Sequence, residues 1–157
     1  NIHLMKQHLK SPTYASRLLF LGVLLFLLGL VVALGIPQMA NPRMGLSAHL
    51  EGTMNGMFLI ILGLVWSKLV LNETWLRITF WLTIYGSFAN FAAVTISAIT
   101  GAGKLMPIAG GQEGTPTVEA IVSLLLITLS LAMIAVGVLV LVGLYRNIRS
   151  DALANAE

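Results

Sequence analysis

His49, Asn55 and Asn90 are polar residues set within runs of apolar ones. Buried imidazole or amide groups cost free energy unless each finds a partner, so such residues mark where function is to be sought. An imidazole can ligate a metal or anchor a hydrogen bond, and an amide can hold a substrate heteroatom or bond across helices. His49, Gly52, Thr53 and Gly56 follow steps of three and four, which places them on one helical stripe. The two glycines on it leave room for a flat group or another backbone. Asn55 sits about 120 degrees round from His49, so the two would flank a groove rather than touch. Thr83, Gly86, Ser87, Asn90, Val94 and Ser97 share a face by the same arithmetic and form the expected opposite wall.

The elements that must position these residues follow from composition. The chain has 157 residues, 57% hydrophobic and 10% charged, and its apolar runs are too long for a soluble core of that size. Crossing the hydrocarbon takes about 20 residues of helix. Four stretches qualify, roughly 17 to 36, 47 to 71, 75 to 100 and 117 to 144. The expected fold is an all-α, integral membrane four-helix bundle forming a single domain over 1–157. The third helix reads as the least hydrophobic and is expected to face protein. The first run is too long for a signal-peptide core and lacks a small-residue cleavage site at Gly35-Ile36-Pro37, so it reads as retained. The missing initiator Met suggests that the chain begins inside a longer product.

With the N-terminus in the cytoplasm, the inner side holds Lys6, Lys10, Arg17, Lys68, Arg77, Arg146 and Arg149 and the outer side only Arg43 and Lys104, seven against two. Tyr14, Trp66, Trp75 and Tyr145 then fall at the inner interface as an aromatic belt. Both termini are expected to be cytoplasmic, in a multi-pass protein of a bacterial-type inner membrane. Topology accounts for the net charge of +3, and no basic stripe with interleaved aromatics points to nucleic acid. The absence of Cys excludes disulfides, thiolate ligation and covalent haem attachment. Asn55 lies ~12 Å down helix two and Asn90 ~22 Å along helix three from the opposite side, so the polar groups converge in the outer half.

Each signal also has a plainer reading. Gly52-x-x-x-Gly56 is first a packing motif, the asparagines can bond across helices, and Glu51 and Glu119 read as solvated charges near helix starts. Asn41-Pro42-Arg43-Met44-Gly45 reads as a turn with Ser47 a candidate cap. Residues 101–116 form an outer loop, either connector or lid. Gly101-Ala102-Gly103 lies in that loop and is no dinucleotide fingerprint.

The stretch from Leu28 to Gly63, LGLVVALGIPQMANPRMGLSAHLEGTMNGMFLIILG, resembles the hydroxylaminobenzene mutases, and the A-H-x-x-x-x-x-N-G pattern from Ala48 to Gly56 is shared with the related styrene oxide isomerases. Ala89-Asn90 also matches, so the resemblance spans nearly all of the four-helix region. It implies a small aromatic hydroxylamine substrate, rearranged to 2-aminophenol, and a homotrimer carrying ferric haem b as Lewis acid in the bilayer. It further implies His49 as iron ligand and Asn55 as the group positioning substrate oxygen. In that picture Asn90 or Tyr85 helps hold the hydroxylamine, Gly52 and Gly56 lie beside the cofactor, and Arg43 or Lys104 pairs with the propionates. The isomerases carry a tyrosine four residues after the asparagine matching Asn90, where this chain has Val94; that argues for a substrate other than an epoxide. The rival readings are a haem-dependent aryl epoxide isomerase, a small four-helix transporter and a structural assembly module.

Overall fold

The computed structural model describes the backbone of residues 2–110 and 113–154, with side chains from residue 13 onward in those ranges except 151 and 154. The side chains of Lys6 and Lys10 therefore lie outside the described residues. Four helices follow one another, α1 (Ile2–Ala33), α2 (Pro42–Val65), α3 (Glu73–Thr100) and α4 (Pro116–Ala154), with no strand among the described residues. Four spans are long and apolar enough to cross a bilayer: Thr13–Ala33, Pro42–Lys68 (α2 with the 3-10 turn that follows it), Glu73–Thr100 and Pro116–Ser150. The protein is an all-α, multi-pass membrane protein.

Helix boundaries depart from the sequence reading where capping chemistry decides. Residues 41–45 are not a free turn, and Ser47 is not the cap. Asn41 caps α2, its Oδ1 accepting from the N–H groups of Arg43 at 3.2 Å and Met44 at 3.3 Å. Pro42 takes the first helical position, where a missing N–H costs nothing. Ser47 lies inside the helix and donates to Arg43 O at 3.2 Å. Asn72 caps α3 by accepting from Trp75 N–H at 3.0 Å, and Gly101 ends that helix with φ 80, a left-handed conformation that glycine adopts without a Cβ clash. α4 runs past the expected end at 144, through Arg146 and Arg149.

The helices alternate up and down. At one end the Tyr14 ring packs 4.6 Å from Phe80 and 6.1 Å from Trp66, and Val70 N–H bonds to Gly143 O at 3.2 Å. At the other, Asn41 N–H bonds to Ala98 O at 3.0 Å. The N-terminal end of α1 and the C-terminal end of α4 thus lie at the same end of the bundle, with Arg17, Lys68, Arg77, Arg146 and Arg149, while Arg43 and Lys104 occupy the opposite end. Trp66 is no belt residue: at 1% exposure it is core, with Leu18, Leu25, Leu59, Leu62, Leu69 and Phe80. Its bulk fills the space where three helices converge, which outweighs a place at the lipid interface.

Packing is closest between α1 and α2. A Cβ at Gly52 would lie 2.5 Å from Gly29 Cα, and one at Gly56 would lie 2.6 Å from Phe26 N. Backbones meet there directly, as small-residue motifs permit in lipid, where helix association relies on dispersion rather than on water release. α4 rests on α3, with Met133 filling the space at Gly86. α3 is the most buried of the four spans, in line with its expected inward position, although α2 has marginally the lower mean hydropathy, 1.4 against 1.5.

Candidate active site

Glu51 is the centre of the polar cluster. It precedes Asn55 by one helical turn, so both leave α2 on the same side. Asn55 Nδ2 donates to Glu51 Oε2 at 3.1 Å, and Asn90 Nδ2 reaches across from α3 to the same oxygen at 2.6 Å. The convergence of Asn55 and Asn90 read from helix depths is present, with a carboxylate between them. A carboxylate oxygen only accepts here, so it fixes which way each amide points: N–H toward Glu51, Oδ1 away. No hydrogen bond reaches Oε1 of Glu51 among the described residues.

A cavity of about 380 Å³ adjoins this cluster, lined by Glu51, Asn90, Ser47 and Arg43 together with Met44, Val94, Met106, Ile108, Ala109 and Leu126. α2 and α3 form its floor and sides. Met106, Ile108 and Ala109, from the segment after α3, line it on the outer side and form its lid. Glu119 holds that lid: its carboxylate accepts from the N–H groups of Gly103 at 3.0 Å, Lys104 at 3.1 Å and Gly114 at 2.9 Å. At 8% exposure Glu119 is not the solvated helix-start charge expected of it. The backbone amides of a glycine-rich loop have no neighbours to bond within a strand or helix, and the carboxylate at the start of α4 satisfies them.

His49 leaves α2 on the side facing α1. Its Nδ1 lies 2.9 Å from Gly29 O, in the last turn of α1. A carbonyl can only accept, so Nδ1 carries the proton and Nε2 holds the lone pair. Such a second bond orients a histidine that ligates through its other nitrogen. Among the described residues no three of His, Cys, Asp and Glu gather to hold a bare metal ion. His49 suits a group that brings its own equatorial donors, as a haem does.

The other expected site residues are placed as follows. Gly52 and Gly56 share the face of His49 and are closed against α1, so the room they leave is taken by backbone. Arg43 is at the cavity rim, where a Cβ at Gly110 of the lid would lie 3.2 Å from its Nη1. Tyr85 is not brought to the cluster: it is exposed and its hydroxyl pairs with Thr128 Oγ1 of α4 at 2.5 Å. A larger, mostly apolar cavity of about 720 Å³ lies toward the other end of the bundle, between α1 and α3, and contains none of the expected site residues. Sequence reading missed Glu51 as the hub and Ser47, Met106, Ile108 and Ala109 as lining. The spacing from Glu51 to Asn55 was the available signal, since a donor one turn after a carboxylate is a hydrogen-bond pair.

A carboxylate and two amides gathered in a four-helix membrane bundle, with a histidine of one free nitrogen on the α1 side of the same helix, describe a membrane-embedded enzyme. The sequence model of the styrene oxide isomerase family matches residues 14–145, and the chain belongs to that family. It is an isomerase. It is similar to Hydroxylaminobenzene mutase HabB of Ectopseudomonas oleovorans, 49% identical over 132 residues that make up 83% of this chain and 80% of that protein. Hydroxylaminobenzene mutase HabA of the same organism is 49% identical over 127 residues, 80% of this chain and 94% of its own. No solved structure matches the chain.

Proposed function

We propose that the protein rearranges hydroxylaminobenzene to 2-aminophenol, with the Glu51–Asn90 cavity as the substrate site. The observation that carries this reading is the cavity itself: apolar walls for an aryl ring and one polar wall for its nitrogen and oxygen. The two similar mutases support the substrate by name. The reaction moves a hydroxyl from nitrogen to the ortho carbon, while the ring loses one proton and the nitrogen gains one. Atoms and electrons balance within one molecule, so no nicotinamide or flavin takes part.

Asn90 Oδ1 and Glu51 Oε1 accept the N–H and O–H of the hydroxylamine and hold its N–O bond in place. Asn55 keeps Glu51 in position from one turn further along α2. Met44, Val94, Met106 and Leu126 exclude water, which otherwise captures a ring that develops cationic character. Haem b, if bound through Nε2 of His49 on the α1 side of α2, would supply Lewis-acid chemistry to the reaction. The family resemblance supports that cofactor, with Arg43 as a candidate partner for a propionate at the rim. It also supports the homotrimer, which a native mass of three chains would check. The seven-to-two distribution of basic residues supports cytoplasmic termini in an inner membrane.

The deciding experiment takes an absorption spectrum of the detergent-purified protein and then adds hydroxylaminobenzene. A Soret band together with 2-aminophenol supports the haem-dependent mutase. Turnover without a Soret band keeps the mutase and removes the haem. No 2-aminophenol from folded, haem-loaded protein, with styrene oxide converted to an aldehyde instead, would replace the reading with epoxide isomerisation.

A further inference from the structure

The hydrogen bonds already made around the cavity decide what its polar wall can still offer. Ser47 gives its hydroxyl proton to Arg43 O and leaves lone pairs toward a ligand. Asn90 gives an amide N–H to Glu51 Oε2, and that contact, at 2.6 Å, is the shortest in the cluster. Asn55 gives its own N–H to the same oxygen. Three acceptors remain at the wall, Ser47 Oγ, Asn90 Oδ1 and Glu51 Oε1, the last belonging to a carboxylate that only accepts. The donors left are the second amide N–H of Asn90 and the guanidinium of Arg43, which is exposed at the rim against the lid rather than on the floor.

We infer that the cavity selects aryl ligands that donate hydrogen bonds, those bearing N–H or O–H next to the ring, and that Glu51 sets this selectivity by presenting its free carboxylate oxygen and by engaging one amide N–H of Asn90. The inference rests on the reading of this cavity as the substrate site. Hydroxylaminobenzene carries both donors. An epoxide carries none, so it would leave Glu51 Oε1 and Ser47 Oγ facing an apolar ligand without a donor to bond. Were Glu51 replaced by an apolar residue, Asn90 would be free to rotate its amide and present N–H, the orientation that an acceptor-only ligand requires. Glu51 is thus a specificity-determining residue in addition to any part in holding the substrate.

Benzyl alcohol and anisole test this directly, because they are isomers that differ in whether the oxygen carries a proton. Their dissociation constants are to be measured by titration calorimetry on purified wild type, Glu51→Gln and Glu51→Leu. Comparing ratios between proteins cancels the unequal partition of the two probes into detergent. The wild-type ratio should favour benzyl alcohol over that of Glu51→Leu by about tenfold or more, the cost of one buried hydrogen bond left unmade. Glu51→Gln should fall between them, since its carbonyl oxygen still receives both amides while its own NH2 puts donors where Glu51 Oε1 accepted. In parallel, KM for hydroxylaminobenzene should rise in Glu51→Leu while styrene oxide becomes a competitive ligand.

An unchanged ratio in Glu51→Leu overturns the inference. Should that variant fail to fold, wild type alone decides: a ratio no better than the partition of the probes into empty micelles overturns it equally. The outcome is separable from the mutase reading. Wild type that prefers benzyl alcohol but makes no 2-aminophenol keeps the selectivity and loses the reaction, and turnover without preference does the reverse.

Discussion

At the scale of single residues, the site is governed by which protons are already committed. The bond from His49 Nδ1 to Gly29 O leaves one nitrogen free to ligate, and the bonds from Asn55 and Asn90 to Glu51 leave carbonyl oxygens free to accept. His49→Ala should lose haem absorbance and turnover while the protein stays folded in the membrane, because the glycine seam beside it is untouched. A retained Soret band at full intensity would remove His49 as ligand. The sequence made His49, Asn55 and Asn90 legible because polar residues stand out in apolar runs. Glu51 was not legible as their hub. Its charge sits close to the start of helix two, where a carboxylate is commonly solvated, and only the reach of Asn90 from another helix shows its purpose. Tyr85 was misplaced for a related reason: proximity along the chain to Asn90 does not give proximity in space when the intervening five positions turn the helix by about 140 degrees.

At the scale of elements, the spans were readable from hydropathy, but their ends were set by local chemistry that hydropathy does not register. The Asn41 side chain and the fixed φ of Pro42 start α2 ahead of the apolar run, and α4 continues beyond it because Arg146 and Arg149 favour helix as readily as the apolar residues before them. The Gly52–Gly56 stripe admits one direct test. Replacing Gly56 by Leu would push a side chain into the backbone at Phe26 and should destabilise the bundle by about 1–3 kcal/mol or more. Gly137 on α4 has nothing within 4 Å of where a Cβ would go, so Gly137→Ala should be neutral or stabilise by up to about 1 kcal/mol. Thermal unfolding of both variants in one detergent measures the contrast; equal effects would mean that α1 and α2 are not in backbone contact.

At the scale of the whole molecule, alternation of the four helices puts the N-terminal end of α1 and the C-terminal end of α4 together, and the absence of Cys from the sequence makes the side of the membrane simple to measure. Single Lys104→Cys and Arg149→Cys variants in intact cells should label oppositely with an impermeant thiol reagent, Lys104→Cys at once and Arg149→Cys only after permeabilisation. The reverse pattern would invert the proposed orientation. The bundle also consists of two hairpins, α1 with α2 and α3 with α4, joined by the short stretch between Lys68 and Glu73. Arg43, Met44, Ser47 and Glu51 come from the first and Asn90, Val94, Met106, Ile108, Ala109 and Leu126 from the second. Each hairpin can enter a bilayer as helices before the two associate. Co-expressed halves divided within that stretch should therefore restore turnover that neither half has alone, and failure of folded halves to do so would show that the linker is needed for assembly. The Glu51–Asn90 cavity is a docking interface between two insertable units that happen to share one chain, so fission of the gene would leave it intact while separation of its products would abolish it.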